Sequence, residues 1–179
     1  MCGGCRAHPP AFDAAIAGTA YDFPMANLVR RLKYGSALEL VPAIAAPLIA
    51  AIAAARAERR VDALVALPLA PARQRERGYN QAREIAREIG RATGLPLTHG
   101  LDRALAGPPQ AALPWRERAR NVRGAFVARR RFDGERLALV DDVLTTGSTA
   151  AAAAAALARA GAARIEVWVA ARTPPGARA

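Results

Sequence analysis

Residues 137–149, LALVDDVLTTGST, constrain the fold of this chain more than any other segment. An apolar run is followed by two adjacent carboxylates, Asp141 and Asp142, then by a hydroxyl-rich loop and an alanine-rich stretch. This order predicts a buried strand, a tight loop and a helix, and open α/β sheets bind ligands at such strand ends. Helix N-termini bind anions through their free N–H groups. The segment therefore predicts an anion site formed by Thr145, Thr146, Gly147, Ser148 and Thr149.

The two carboxylates need a different ligand from the loop, because they would repel a phosphate. They suit sugar hydroxyls or a Mg²⁺ ion held beside the phosphate. The simpler interpretation is a capped helix after a buried strand, with Asp141 and Asp142 in solvent. The segment is neither a P-loop nor a Rossmann fingerprint, because it contains neither GxxxxGK nor GxGxxG.

Apolar runs that predict strands alternate along the chain with stretches of helical periodicity. This alternation predicts an α/β fold with a mainly parallel central sheet flanked by helices. The predicted strands are 14–21, 61–67, 95–101, 124–127, 137–140 and 165–170, and the predicted helices are 25–34, 37–60, 79–93 and 148–160. Segments 68–78 and 104–123 are predicted as loops rich in arginine and proline.

The chain has 179 residues, enough for one domain, and a net charge of +11. Its preference for arginine over lysine fits a GC-rich genome, but the excess over acidic residues favours a polyanionic partner such as a phosphate or nucleic acid. The first ten residues lack the apolar core of a signal peptide, and the longest apolar stretch, 40–55, is short for a membrane span. We expect a cytoplasmic protein without membrane insertion.

Segment 137–149 closely resembles the phosphoribosyl pyrophosphate (PRPP) signature of type I phosphoribosyltransferases. The resemblance implies that Asp141 and Asp142 bind the ribose hydroxyls, that residues 145–149 wrap the 5-phosphate, and that Mg²⁺ accompanies PRPP. Four further segments extend the resemblance to the ComF family over nearly the whole chain: PPAFD (9–13), RLKYG (31–35), RERGYNQA (75–82) and RARNVRGAF (118–126).

The ComF resemblance implies a domain organisation. A type I phosphoribosyltransferase fold with a small N-terminal hood region would span residues 14–172, followed by a disordered tail at 173–179. The same resemblance raises three partners besides PRPP. These are single-stranded DNA, a competence helicase and a second copy of the chain in a homodimer.

The segment 68–81 follows a predicted strand, as the pyrophosphate loop does in phosphoribosyltransferases. Its arginines would offer forked donors to pyrophosphate oxygens, and its glycine would permit close backbone approach. The alternative is a solvated basic loop that begins a helix. The candidate residues are Arg73, Arg75, Arg77, Gly78, Asn80 and Gln81.

Segment 104–123 corresponds to the mobile loop that closes over PRPP in such enzymes. A cationic loop closed over a diphosphate would exclude water and stabilise the leaving group. A disordered basic loop is the equal alternative. The candidate residues are Gln110, Arg116, Arg120, Asn121 and Arg123. Lys33 is a further candidate, because it is the single lysine of an arginine-rich chain and lies in the RLKYG segment.

Cys2 and Cys5 form half of a zinc knuckle, within a remnant that spans residues 1–13. A structural zinc needs four ligands, and ComF relatives often carry the other cysteine pair upstream. Either the true start lies upstream or the finger has been lost. We expect no complete zinc site from these residues, although the pair could bind metal between two chains.

The resemblance to the ComF family and to type I phosphoribosyltransferases implies three possible functions. The first is an enzyme in which pyrophosphate leaves C1 of ribose and a nitrogen nucleophile attacks. The second is a non-catalytic module that binds PRPP or another phosphosugar. The third is an accessory factor in DNA uptake whose positive charge binds single strands. The sequence favours a complete PRPP pocket and does not identify an acceptor.

Overall fold

The computed structural model describes residues 9–55, 60–103 and 125–174, and strands alternate with helices along these ranges. The strands are β1 (Ala14–Ala20), β2 (Ala63–Ala66), β3 (Leu97–Thr98), β4 (Leu101–Arg103), β5 (Phe126–Ala128), β6 (Arg136–Leu144) and β7 (Arg164–Arg172). The helices are α1 (Met25–Tyr34), α2 (Val41–Ala55), α3 (Pro71–Arg77), α4 (Gln81–Thr93) and α5 (Ser148–Arg159), and a 3₁₀ turn (Leu38–Leu40) precedes α2.

Five strands form one sheet in the order β1–β7–β6–β2–β3, and every neighbouring pair is parallel. Strand β6 lies in the middle, where Val140 is level with Trp168 of β7 and with Ala66 of β2. Strands β4 and β5 pair antiparallel as a separate two-stranded sheet. The predicted α/β fold with a mainly parallel sheet is confirmed.

Both faces of the sheet are buried, because side chains alternate along each strand. In β6, Leu137 and Leu139 pack on one side with the alanines of α5 and with the β4–β5 pair. Ala138 and Val140 pack on the other side with α1, α2 and α4. The first side is called the α5 face below, and the second is called the α1 face.

The stretch Leu38–Ala55 is long and apolar enough to cross a membrane by length and composition, with a mean hydropathy of 2.0. Core helices of folded domains pass the same test. Here Ile44, Leu48 and Ile52 are buried, and α2 packs against β1 and α4. About 28% of the residues of this stretch are buried, and these buried residues contribute to the core of the domain.

Two predicted segments differ from the structure. Residues 68–78, predicted as a loop, contain helix α3, which begins with Pro71 at its first position and ends at Gly78 in the left-handed conformation. Both are typical helix boundaries, and they outweigh the proline content that suggested a loop. The predicted strand 95–101 is instead two short strands, β3 and β4, in different sheets. Gly100 lies between them, where a Cβ atom would meet the Phe132 ring at 2.7 Å.

The predicted helix 37–60 is shorter in the structure, because a 3₁₀ turn precedes α2 and residues 56–59 lie outside the described ranges. The other predicted elements are confirmed to within a few residues. The predicted zinc-knuckle remnant and the predicted tail fall mostly on residues 1–8 and 175–179, which also lie outside the described ranges.

Candidate functional site

The adjacent carboxylates Asp141 and Asp142 lie near the end of β6, and their side chains interact with each other. Asp142 contacts Lys33 of α1. The strict alternation of side chains along β6 ends near these residues, because Val143 packs on the α1 face and Leu144 on the α5 face. Asp142 is 3% exposed.

Asp142 is paired with Lys33. The Nζ atom of Lys33 lies 2.6 Å from Oδ2 of Asp142, and Oδ1 of Asp142 accepts a 3.0 Å hydrogen bond from the Val143 amide. Among the described residues, no aligned hydrogen-bond donor meets Oδ2, so its contact with Lys33 is an ion pair. Helix α1 places Lys33 at the edge of its buried side, because Val29, one turn earlier, and the neighbouring Leu32 are buried in the core.

Asp141 lies at the strand end and faces a cavity. Burial raises the pKa of this carboxyl well above its usual range, the Asp142 charge raises the pKa further, and Lys33 partly opposes this shift. Its Oδ1 atom accepts a hydrogen bond of 2.8 Å from the Asp142 amide. A hydroxyl or a cation that approached Asp141 would stabilise its ionised carboxylate.

The loop after β6 has the geometry of an anion site. Gly147 has φ +77° and is the N-cap of α5, so the cap residue itself has no side chain to bond the helix amides. The Ser148 amide donates a long hydrogen bond of 3.4 Å to Oγ1 of Thr146. The hydroxyls of Thr146 and Ser148 lie 3.0 Å apart. Thr145 and Thr149 are also exposed. Residues 145–149 thus lie together around a helix N-terminus, and their binding of an anion stays a prediction.

The two acids and the loop line one cavity of about 440 Å³. Its wall is completed by residues from four other parts of the chain. These residues are Tyr21, Lys33, Leu67, Pro68, Leu69, Ala70, Arg73, Gln81 and Arg103. The cavity therefore joins carboxylates, hydroxyls, a helix N-terminus and three cationic side chains.

The structure brings two of the six predicted pyrophosphate-loop residues to this cavity. Arg73 and Gln81 line its wall, and Gln81 is 4% exposed. The Oε1 atom of Gln81 accepts a 2.5 Å hydrogen bond from the guanidinium of Arg77. Gln81 is therefore held in place at the wall.

The other four lie beside the cavity. Asn80 caps α4, since its side chain accepts from the Ala82 amide at 2.9 Å and donates to the Leu67 carbonyl at 3.0 Å. Gly78 ends α3, and Arg75 is exposed. The Arg77 guanidinium lies 5.9 Å from the ring centre of Tyr34. Asn80 and Gly78 therefore fix helix boundaries in the segment between β2 and α4.

Sequence reasoning missed Arg103. It lies at the end of β4, and its guanidinium is 5.5 Å from the ring centre of the buried Phe126. Burial lowers the pKa of Arg103, the charge of Arg73 lowers it further, and Asp141 opposes both. The local sequence gives no sign of this placement, because it depends on the pairing of β4 with β5.

The donor set of the cavity fits Mg²⁺ in the way that phosphate-binding sites use it, with one or two protein carboxylates and the remaining ligands from the substrate and water. Asp141 and Asp142 both line the cavity, and Asp142 is paired with Lys33, so Asp141 is the carboxylate left for an ion. No group of three or more acidic, histidine or cysteine side chains suited to a metal occurs within 9–55, 60–103 and 125–174. A resident ion held by the protein alone does not fit these residues.

Seven predicted site residues fall outside the described ranges. They are the two candidate zinc ligands and the five candidates of the mobile loop. These residues are Cys2, Cys5, Gln110, Arg116, Arg120, Asn121 and Arg123.

Two solved structures resemble this fold at low similarity. One is the allosteric regulatory enzyme of purine biosynthesis, with 21% identity over 77% of this chain and 26% of that chain, at a TM-score of 0.49. The other is the glutamine PRPP amidotransferase from B. subtilis in complex with ADP and GMP. It has 23% identity over 73% of this chain and 26% of that chain, at a TM-score of 0.46.

Curated relatives match almost the whole chain, although no family model does. The DNA utilization protein YhgH of Salmonella typhi is 33% identical over 176 residues, covering 96% of this chain and 78% of the relative. Competence protein F of Haemophilus influenzae is 32% identical over 178 residues, with the same coverage. With its signature strand, loop and helix at the middle of a parallel sheet, the chain belongs to the ComF family of competence and DNA utilization proteins.

Proposed function

We propose that this protein binds PRPP, or another phosphoribosyl ligand, together with Mg²⁺. The observation that carries the proposal is the cavity at the end of β6. It joins the Asp141–Asp142 pair and the N-terminus of α5 to cationic side chains from three separate elements. An anion with a sugar between two phosphate groups matches this distribution of charge.

Each part of PRPP has a matching surface. The 5-phosphate fits the amides and hydroxyls of residues 145–149. The ribose hydroxyls fit the carboxylate of Asp141, which would accept their hydrogen bonds. The diphosphate fits the cationic wall that includes Arg73. Bound Mg²⁺ would neutralise charge on the diphosphate oxygens and would be held by Asp141 with substrate oxygens and water.

If the protein is an enzyme, it is a phosphoribosyltransferase. The C1–O bond of PRPP would break with its electron pair leaving on pyrophosphate. The lone pair of a nitrogen nucleophile would form the new C1–N bond, and the proton lost from nitrogen would pass to solvent. The residues of this cavity would act by positioning the reactants and stabilising charge. A protein that binds PRPP without turnover would use the same cavity.

The cellular role follows from the names of the relatives, which are DNA utilization protein and competence protein F. We infer a cytoplasmic role in the use of incoming DNA, linked to natural competence. A competence helicase and a second copy of the chain are the protein partners proposed with it.

The experiment is calorimetric titration of PRPP with Mg²⁺ into the full chain. We expect micromolar binding by the wild type and its loss in Asp141→Asn/Asp142→Asn, because these substitutions remove both acceptor carboxylates. Asp133→Asn is the control, since Asp133 is exposed on the turn before β6 and outside the cavity. It also removes one carboxylate from the chain.

The outcomes separate the alternatives. Binding by the wild type and the control, but not by the double variant, supports the proposal. Release of pyrophosphate with an added nitrogen acceptor would then identify an enzyme, and binding without release would identify a sensor. Absence of PRPP binding by the wild type would contradict the proposal.

A second candidate function is binding of single-stranded DNA, favoured by one surface feature. Tyr34 is 77% exposed beside the cavity, and the Arg77 guanidinium lies over its ring. An exposed aromatic ring flanked by arginines can stack on a base while the cations contact phosphates. Binding of an oligothymidylate that weakens steeply with salt and is reduced in Tyr34→Ala would support this function.

A further inference from the structure

The five-stranded sheet ends in two different edges. At one edge, β3 has only two residues. At the other edge, β1 has seven residues, Ala14–Ala20, and within the described ranges it pairs with β7 alone. Its sequence, AAIAGTA, contains no charged residue and no proline. Folded proteins protect a long edge strand with charges, proline or a covering segment, so β1 is an edge that another strand can pair with.

Backbone hydrogen bonds show which groups of β1 point away from the sheet. The amides of Asp13 and Tyr21 both donate to carbonyl oxygens of β7, at 2.8 Å. Backbone groups alternate in direction along a strand, so the odd-numbered residues from 13 to 21 point toward β7. The even-numbered residues therefore direct their N–H and C=O groups to the open side of β1. They are Ala14, Ile16, Gly18 and Ala20.

Helix α2 extends this uncharged surface. It packs over both β1 and β7, and it lies so close to β1 that a Cβ atom on Gly18 would be 2.6 Å from the Leu48 amide nitrogen. None of the 7 residues of β1 or the 15 residues of α2 is charged, although 23% of the chain is. We call β1 and the exposed side of α2 the uncharged edge. Every exposed residue of α2 is alanine or proline: Pro42, Ala43, Ala46, Ala50, Ala53 and Ala54.

We propose that the uncharged edge binds a second copy of this chain, with β1 pairing antiparallel to the same strand of the partner about a two-fold axis at Ala17. The inference rests on the second copy proposed above as a partner, and it assigns that copy a surface. In this register, Ile16 is opposite Gly18 of the partner subunit and Ala14 is opposite Ala20 of the partner subunit. Every outward-pointing residue then meets another, and each such pair exchanges two backbone hydrogen bonds. The result is one continuous sheet with five strands from each copy.

The sizes of the side chains fit this register. Ile16 is the largest residue of β1, and it lies opposite a glycine on the same face of the sheet. Neighbouring strands are about 4.8 Å apart and α2 is set back over β7, so the two copies of α2 would lie about 8–10 Å apart. Alanine allows helices to approach this closely, whereas larger exposed side chains would hold them apart.

Charge favours a second copy on this surface. The chain carries a net charge of +11, so two copies repel each other least where their uncharged edges meet. The edge is about 22 Å long and about 20 Å wide, the width of a helix layer and a strand layer. Two copies would bury about 900 Å², which is at the low end for specific complexes. We therefore expect a dimer that dissociates at micromolar concentration. A membrane surface and the residues that precede β1 are the competing occupants.

The first measurement is sedimentation velocity of the full chain from low to high micromolar concentration, with the wild type and with Cys2→Ser/Cys5→Ser. We expect a monomer–dimer equilibrium in both. The serine background removes the other thiols of the chain and any dimer held by a metal between two N-terminal cysteine pairs.

The second measurement tests the register by disulfide formation in that serine background, with oxidised glutathione as the oxidant. Ala17→Cys places a thiol on the two-fold axis, in a pair that is not hydrogen-bonded and whose Cα atoms lie about 4.5 Å apart, within reach of a disulfide. We expect a covalent dimer that forms readily.

Ala15→Cys is the matched control. Ala15 and Ala17 are both partly buried on the α5 face, but Ala15 is opposite Thr19 of the partner subunit. The two copies of Ala15 are therefore about 13 Å apart along the strands, too far for a disulfide. Ala15→Cys/Thr19→Cys should restore the covalent link, because each cysteine then faces one on the partner.

Each outcome supports or overturns the proposal. A reversible dimer in the serine background, linked through Ala17→Cys and not through Ala15→Cys, supports it. A monomer at every concentration, a dimer that the serine background abolishes, or equal linking of both single variants would overturn it. A monomer that binds phosphatidylcholine vesicles would assign the uncharged edge to a membrane instead. None of these results alters the PRPP titration, so the proposed ligand succeeds or fails separately.

Discussion

The ammonium of Lys33 lies 2.6 Å from a carboxylate oxygen of Asp142, and the two side chains come from different layers of the fold. Lys33 is on α1 and Asp142 is on β6. The pair neutralises one of two adjacent acids, which allows both to be enclosed at the strand end. It also ties α1 to the rim of the cavity, so the stability of the fold and the shape of the proposed ligand site depend on the same contact.

Removing Lys33 should destabilise the protein. Lys33→Met leaves the buried Asp142 carboxylate without its cation, and breaking a buried pair from one side costs about 3–5 kcal/mol. The Lys33 side chain is 22% exposed, so water screens part of this cost and we expect about 2–3 kcal/mol. Urea unfolding without ligand measures the change.

The double variant Lys33→Met/Asp142→Asn tests the cause. Because the Asp142 charge is removed together with its cation, the double variant should recover much of the lost stability, and the cycle gives the coupling between the two residues. Additive losses in the cycle would show that the pair does not stabilise the fold.

Replacing Asp141 should stabilise the ligand-free protein at neutral pH. Burial raises the pKa of Asp141 above its unfolded value, so the folded state holds this proton more tightly. The stabilising contribution of Asp141 is therefore complete below its unfolded pKa and is lost as pH rises through the folded pKa. The Asp141→Asn variant has no carboxyl to ionise, so it does not lose this stability as the pH rises. The asparagine side chain can still accept the hydrogen bond from the Asp142 amide.

We expect a Tm about 2–4 °C above wild type at pH 7–8, which is about 1 kcal/mol for a domain of this size. The difference should shrink as the pH falls toward 4. Thermal unfolding across this range measures it, with the exposed Asp133→Asn as control. A Tm for Asp141→Asn at or below wild type at pH 8 would show that the Asp141 carboxylate does not strain the fold.

Gly18 is required where α2 crosses β1. A Cβ atom on Gly18 would lie 2.6 Å from the Leu48 amide nitrogen and 2.8 Å from the Ala170 carbonyl oxygen, and backbone cannot move as a side chain can. Gly18→Ala should therefore destabilise the protein by about 1–3 kcal/mol, as overpacking does. Urea unfolding should show no such loss in Ala53→Ser, on the exposed side of α2. Equal stability of the two variants would contradict the close approach.

Local patterns predicted the elements that surround the site. The amphipathic spacing of residues 25–34 and the order of strand, acids, loop and helix in 137–149 each depend on neighbours in sequence. Lys33 was chosen as a candidate site residue because it is the single lysine of the chain. The structure shows that it pairs with Asp142.

The rest of the site depends on contacts between distant segments. Arg103 reaches the cavity because residues 101–103 pair with residues 126–128, and no local pattern signals such a pairing. Pro71 was the available sign that α3 begins within the predicted loop, but the arginines around it have no buried face to give a helical period. The sequence therefore predicted the loop at the N-terminus of α5 better than it predicted the cationic wall of the cavity.

Gly147 should be essential to the anion site for conformational reasons. At φ +77° a Cβ atom would lie 3.8 Å from Leu144 and 3.9 Å from Phe12, so an alanine has room but is strained. Gly147→Ala should cost about 1 kcal/mol of stability and shift the loop amides. We expect the affinities for PRPP and ribose 5-phosphate to fall together, about 10-fold or more, because both ligands carry the 5-phosphate.

Gly94→Ala is the matched control for that substitution. Gly94 ends α4 at φ +75°, with nothing within 4 Å of a Cβ atom, and it is outside the cavity. It should lose a similar amount of stability and keep both affinities. Thermal unfolding and calorimetry on the two variants separate strain from binding. If Gly94→Ala weakens the ligands as much as Gly147→Ala, the loss reports general destabilisation, and the loop 145–149 is not the phosphate site.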